Sequence, residues 1–120
     1  MRAAFLTLLL LAPASALSAQ SRAEVQLKNF DFVPRTINLH AGQSVTLHLV
    51  NTAHGGHNFA APEFFAAATH VSGPVSHGAV EVHGGQSVDV TLTPARGTYR
   101  LRCTHTMHTA FGMTGSIVVD

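Results

Sequence analysis

Cys103, His108 and Met113 stand near the C-terminus of this 120-residue chain with four residues in each gap. All three side chains are metal donors. Thiolate and thioether are soft and hold Cu(I), whereas imidazole serves both copper oxidation states, so the trio suits a metal that changes valence. A structural role for Cys103 is the alternative, because a free Cys packs as a small hydrophobe. It is the one Cys in the chain, which excludes an intramolecular disulfide framework. An exported protein that keeps an unpaired thiol needs a reason for it, and a copper bond would protect that thiol. Met113 alone reads as core filler. In step with Cys103 and His108 it reads as a ligand.

A second imidazole has to come from a distant turn. His57, in His54-Gly55-Gly56-His57-Asn58-Phe59 after the segment ending at Val50-Asn51, is the natural candidate. Two imidazoles and a thiolate in trigonal array with a weak axial Met form the blue-copper electron-transfer set. Two other imidazoles compete. His105 follows Cys103 by two residues and, on strand-like backbone, faces the same way as Cys103, so it reaches the metal only if the loop is rearranged. His108 is preferred because a five-residue step lets the loop turn back. His54-x2-His57 with His105-x2-His108 makes an all-imidazole alternative, which suits Cu(II) or Zn²⁺ held as cargo rather than electron transfer. His40, His48, His70, His77 and His83 fall on polar strand faces, turns or loops and read as solvated.

The elements that must position these donors are strands. Val45, Leu47 and Leu49 alternate with Thr46 and His48, the period of a half-buried strand. The same alternation recurs at Val25 and Leu27, Ile37 and Leu39, Val80 and Val82, Val88 to Leu92, Tyr99 and Leu101, and Ile117 and Val119. Turn signals at Val33-Pro34, Ala41-Gly42, Gly84-Gly85, Pro94 and Arg96-Gly97 separate them. This spacing predicts an all-β chain, an antiparallel Greek-key β-sandwich of about seven to eight strands. Pro62 to His70, with Glu63, Phe64, Phe65 and three Ala, predicts one short helix in a connection. Val71 to Gly78 reads as an ordered loop or a strand remnant. The loop carrying Cys103, His108 and Met113 is then tethered by strands at both ends, which position Cys103 and Met113.

Residues 1–19 read as a secretory signal peptide. Arg2 precedes an apolar run of about ten residues, short of the roughly 20 that span a bilayer. Small residues follow, with cleavage expected after Ala16, Ser18 or Ala19. A soluble protein in the periplasm or outside the cell is expected, with residues 20–120 as a single domain. Beyond Ala19, six Lys+Arg face six Asp+Glu, so no basic stripe for nucleic acid is expected and net charge cannot steer a partner.

The segment Gly97-Thr98-Tyr99-Arg100-Leu101-Arg102-Cys103-Thr104, followed by His108, Gly112-Met113 and Thr114-Gly115, resembles the C-terminal copper loop of the cupredoxin family, the small blue copper proteins. His57-Asn58-Phe59 resembles that family's first-His turn. The resemblance covers nearly all the chain beyond the leader and is greatest to auracyanin-like and sulfocyanin-like members. It implies one type 1 copper ion held by His57, Cys103, His108 and Met113, with Asn58 tying the two copper loops together and the Gly56 carbonyl near the metal. The chain departs from many family loops by carrying Thr106-Met107 where a Pro-Gly pair often precedes the second His. The implied function is a one-electron carrier, not an enzyme, because copper oxidases and reductases join several such domains with a catalytic copper between them. A Cys–His nucleophile ranks last, since no orienting partner is recognisable. A monomer is expected, docking transiently near His108 on a cytochrome, an oxidase or a reductase. Ala110, Met107 and Phe111 around His108 read either as an apolar docking rim or as a cap closing the core. A copper-handling protein is the second function class.

Overall fold

The computed structural model describes residues 2–5, 7–12 and 21–120; the three expected cleavage positions lie outside the described residues. Eleven elements follow in chain order: β1 Ser21–Lys28, β2 Asp31–Val33, β3 Thr36–Leu39, β4 Val45–Asn51, β5 His57–Ala60, α1 Pro62–Ala67, β6 Thr69–Ser72, β7 Ala79–Val82, β8 Ser87–Thr93, β9 Gly97–Arg102 and β10 Thr114–Val119. One sheet runs β2-β1-β4-β8-β6 and the other β3-β10-β9-β5-β7. The expected sandwich is present, with ten strands among the described residues rather than seven to eight.

Alternation decides which side of the longer strands faces inward. In β4 the buried Val45, Leu47, Leu49 and Asn51 alternate with half-buried Thr46, His48 and Val50. Leu27, Phe32, Leu47, Leu49 and Leu92 from one sheet meet Phe59, Leu101 and Ile117 from the other, all with at most 1% exposure. Phe32 crosses the interface to meet Phe59 edge to face, ring centroids 6.1 Å apart. Tyr99 donates its hydroxyl to the Ala95 carbonyl at 2.9 Å and pins the turn that launches β9.

Three expectations change in detail. The sandwich is mixed rather than antiparallel: β1 runs parallel to β4, and β3 parallel to β10. β1 and β4 become neighbours only after the chain has crossed to the other sheet at β3 and returned, and β3 finds β10 at the far end of the chain, so neither parallel pair is joined by a hairpin. The helix ends at Ala67 rather than His70, because Ala68 is already extended (ψ 157°) and Thr69 to Ser72 join the edge of the first sheet. Residues 71–78 thus divide between that strand and a turn closed by the Ser76–Ala79 bridge. No helix among the described residues is long and apolar enough to cross a membrane.

Candidate metal centre

β5 supplies the first imidazole. It lies between β9 and β7, and all four of its residues are buried, so its residues do not show the alternation by which strands are recognised. Buried Asn51, at the end of β4, shapes the approach to it. Its Nδ2 donates to the carbonyls of Gly55 and Val82, each at 2.9 Å, and its Oδ1 accepts the Ala53 N–H. His54, exposed, sits on this turn with its carbonyl against Gly84, where any Cβ would collide with it.

The second segment is a loop folded on itself. The Cys103 N–H donates to the Met113 carbonyl at 3.1 Å, so the two ends of the loop meet. The Met113 N–H donates to the His108 carbonyl at 3.0 Å, and the His108 N–H to the His105 carbonyl at 3.1 Å. The Thr109 hydroxyl donates to the Cys103 carbonyl at 2.7 Å. Met107 takes the left-handed conformation (φ 67°), where a side chain costs roughly 1–2 kcal/mol. Gly112, at φ 91°, meets the same demand without a Cβ. Arg35, between β2 and β3, reaches across to the loop: its guanidinium donates to the Gly112 carbonyl at 2.5 Å and pairs through Nε with Asp31 at 3.0 Å.

These two segments bring His57, Cys103 and His108 together, with donor atoms within 4.8 Å of one another. The His57 Nδ1 to His108 Nδ1 separation is 3.1 Å; Cys103 Sγ lies 3.3 Å from His108 Nδ1 and 3.8 Å from His57 Nδ1. Donors roughly 2.0–2.3 Å from one shared ion stand roughly 3–4 Å apart, so the spacing fits a single metal. The tautomer fits as well. His57 donates its Nε2–H to Asn29 Oδ1 at 2.9 Å, which leaves the Nδ1 lone pair facing the other donors. Cys103, His57 and Met113 have no exposed surface, and His108 is half-buried. Burial, and then the neighbouring imidazoles of His108 and His105, hold the His57 pKa below its ordinary value of 6.5. A proton is thus disfavoured where a metal would sit.

Asn58 binds the two segments to each other. Its backbone N–H points at Cys103 Sγ, 3.5 Å away. Its side chain accepts the Thr104 N–H at 2.8 Å and donates to the Thr104 hydroxyl at 2.7 Å and to Glu81 at 2.9 Å. His105 is not among the three converging donors. Its Nε2 lies 2.8 Å from Glu81 Oε2, and its ring stacks on His108 with centroids 5.5 Å apart. Gly56 packs against that ring, where a Cβ would come within 3.3 Å of His105 Cε1. Burial alone would raise the Glu81 pKa, but the hydrogen bonds from His105 and Asn58 and the charges of His105 and His83 outweigh it and hold the carboxyl below 4.5.

Phe111 and Met107 are 59% and 58% exposed, so they form a rim and do not cap the core. Phe30, in the β1–β2 turn, completes it: its ring meets His108 at 5.1 Å and Phe111 at 4.9 Å. His40, His70, His77 and His83 are exposed as expected, but His48 is half-buried and bonds Asp89 at 2.6 Å. Asn29, Phe30, Arg35, Asn51 and Glu81 escaped the sequence reading. Only Asn29 carried a local signal, as a turn-forming residue between two alternating segments.

The cupredoxin-like domain family matches residues 1–119. The chain belongs to this family. Its structure is similar to that of auracyanin B, with TM-score 0.61 and 27% identity over 83% of this chain and 88% of that one. It is also similar to auracyanin A, a "blue" copper protein from the green thermophilic photosynthetic bacterium Chloroflexus aurantiacus, at TM-score 0.63 and 23% identity over 85% and 100% of the two chains. A multicopper oxidase from the hyperthermophile Aquifex aeolicus shares the fold at TM-score 0.67 and 16% identity, but this chain spans 30% of it. No curated protein matches the chain. Within the cupredoxin family, the buried sulfur of Cys103, the imidazoles of His57 and His108, and Met113, fully buried at the end of the loop that begins at Cys103, are a donor set consistent with one type 1 copper.

Proposed function

We propose that this cupredoxin is an exported one-electron carrier, in which His57, Cys103 and His108 would be the strong copper ligands and Met113 would supply a weaker thioether donor. The observation that carries the reading is the buried convergence of His57 Nδ1, His108 Nδ1 and Cys103 Sγ, spaced for one ion. Copper bound there supplies a Cu(I)/Cu(II) couple. The protein's own residues do the rest. Asn29 fixes the His57 ring, Asn58 aims a backbone N–H at the thiolate, and Phe30 and Phe111 shed water from the edge of His108. That half-buried imidazole edge within a small apolar rim suits brief docking of a cytochrome, an oxidase or a reductase on a monomer. Export to the periplasm or beyond the cell rests on the leader.

The visible spectrum of protein loaded with Cu(II) tests the reading. An intense thiolate charge-transfer band, blue or green, is expected, and Cys103→Ser abolishes it. A nearly colourless Cu(II) form would refute the carrier in favour of copper held as cargo. Persistence of the band in the Cys103→Ser variant would remove Cys103 from the ligand set.

A further inference from the structure

β9 leads directly into Cys103, and its outward face carries two cations that the metal centre does not use. Arg100 and Arg102 are exposed and alternate with buried Leu101 and Cys103. On a strand this places them roughly 7 Å apart on one side of the sheet. Both line a groove of about 470 Å³, together with Pro62, Glu63, Thr109 and Thr114. Arg22 and Arg35 have carboxylate partners in Asp89 and Asp31. Among the described residues neither Arg100 nor Arg102 has one, and Glu63 lines the same groove without pairing to either. Two guanidinia without an ion-pair partner, against one carboxylate in the same concave wall, create a local positive potential that the small net charge of the chain, +1, conceals.

The groove also has a direction. Thr109 follows His108 and ties its hydroxyl to the Cys103 carbonyl, so the groove begins where the exposed rim of Met107 and Phe111 ends. We propose that Arg100 and Arg102 dock carboxylates on the surface of the redox partner and thereby orient that partner over the His108 edge. This rests on the carrier reading, since a partner must come and go. Guanidinium takes a carboxylate bidentately, which fixes orientation as well as attraction. Exposed pairs of this kind act chiefly on encounter rate and its salt dependence, as a carrier that must release its partner requires.

The test is an NMR titration of ¹⁵N-labelled Cu(I) protein with a hexaglutamate peptide and, separately, with inorganic phosphate. The peptide is expected to shift the amides of Arg100, Arg102, Thr114 and Gly115. Its affinity should fall at least about tenfold between roughly 20 and 200 mM NaCl, and by a similar factor in R100Q/R102Q at low salt. Glu63→Gln should strengthen it. R22Q/K28Q, an equal charge change on the other sheet, should leave it within about twofold. Shifts elsewhere, equal loss in R22Q/K28Q, or phosphate binding as tightly as the peptide would overturn the proposal; the last would mean a small-anion site only. The titration reads backbone amides and needs no electron transfer. A colourless Cu(II) form would therefore refute the carrier reading without altering whether the groove takes carboxylates.

Discussion

Asn58→Ala is the most informative single substitution, because it cuts the link between the two ligand segments without touching a ligand. The lost side chain accepts the Thr104 N–H at 2.8 Å and donates to the Thr104 hydroxyl at 2.7 Å and to Glu81 at 2.9 Å. Each of the first two is a short neutral bond worth about 0.5–1.5 kcal/mol. The third reaches a carboxylate, but Glu81 is 58% exposed and keeps His105, so it adds little. Asn58 itself is 3% exposed, and its removal leaves a polar void. The total is about 2–4 kcal/mol, which lowers the melting temperature of a domain this size by roughly 10–25 °C. Denaturant unfolding of metal-free protein measures it. The Asn58 backbone N–H survives the substitution and still faces Cys103 Sγ, so any change in the copper spectrum must come from movement of the Thr104 segment. A loss below about 0.5 kcal/mol with an unchanged spectrum would refute Asn58 as the tie.

Met113→Gln should lower the reduction potential, since a harder axial oxygen favours Cu(II); each tenfold shift in relative affinity corresponds to about 59 mV. Voltammetry that finds the potential unchanged or raised would remove Met113 from the proposed ligand set. Arg35→Gln should cost only about 1–2 kcal/mol: the two side chains are partly exposed, but the Asp31 Oδ1 that faces Arg35 Nε is buried and loses its partner. It should nonetheless speed hydrogen exchange at the Met113 and Thr114 amides about tenfold by releasing the Gly112 carbonyl; unaltered exchange would show that Arg35 does not hold the loop. Metal-free protein should lose stability in acid. The folded pKa of His57 is depressed, so its contribution is complete above 6.5 and is lost as pH falls through the folded value, by at most about 1.4 kcal/mol per pH unit. Glu81, also depressed, adds a loss of the same sign below 4.5. Denaturation midpoints flat from pH 7 to 5 would contradict the His57 shift.

The fold was legible wherever one strand face meets water, because alternation then marks the strand. It failed for β5, where His57 to Ala60 are all buried, and for β2 and β6, too short or too exposed to show a period. Parallel pairing left no trace in composition, since it depends on where the chain crosses between sheets. The donors on the C-terminal loop were legible because all three lie within eleven residues. Their supports were not. Asn29 stands 28 residues from His57, Glu81 lies 23 from Asn58, and Arg35 is 77 from Gly112, contacts that no local spacing encodes. Phe111 illustrates a different limit: an aromatic beside a ligand reads equally as rim or cap, and only its exposure in the folded chain decides between them.

The distribution of these supports explains how a loop can hold metal donors in register. Cys103 is fixed by β9 behind it and by the Met113 carbonyl in front. His108 is carried on a turn whose shape depends on the left-handed Met107, and it is backed by the rings of Phe30 and His105. His57 comes from a strand buried within the same sheet as β9, but its ring is oriented by Asn29 from the opposite sheet. The three donors therefore depend on the sandwich being closed, since sliding one sheet over the other would turn His57 away from Cys103. Packing between Phe32 and Phe59, the latter two residues along β5 from His57, becomes part of the site's geometry in this way. Pairing of β5 with β9 within one sheet spaces His57 from Cys103, the interface between the sheets brings the turn of Asn29 and Phe30 against them, and the polar contacts of Asn29, Asn58 and Arg35 hold the segments in place.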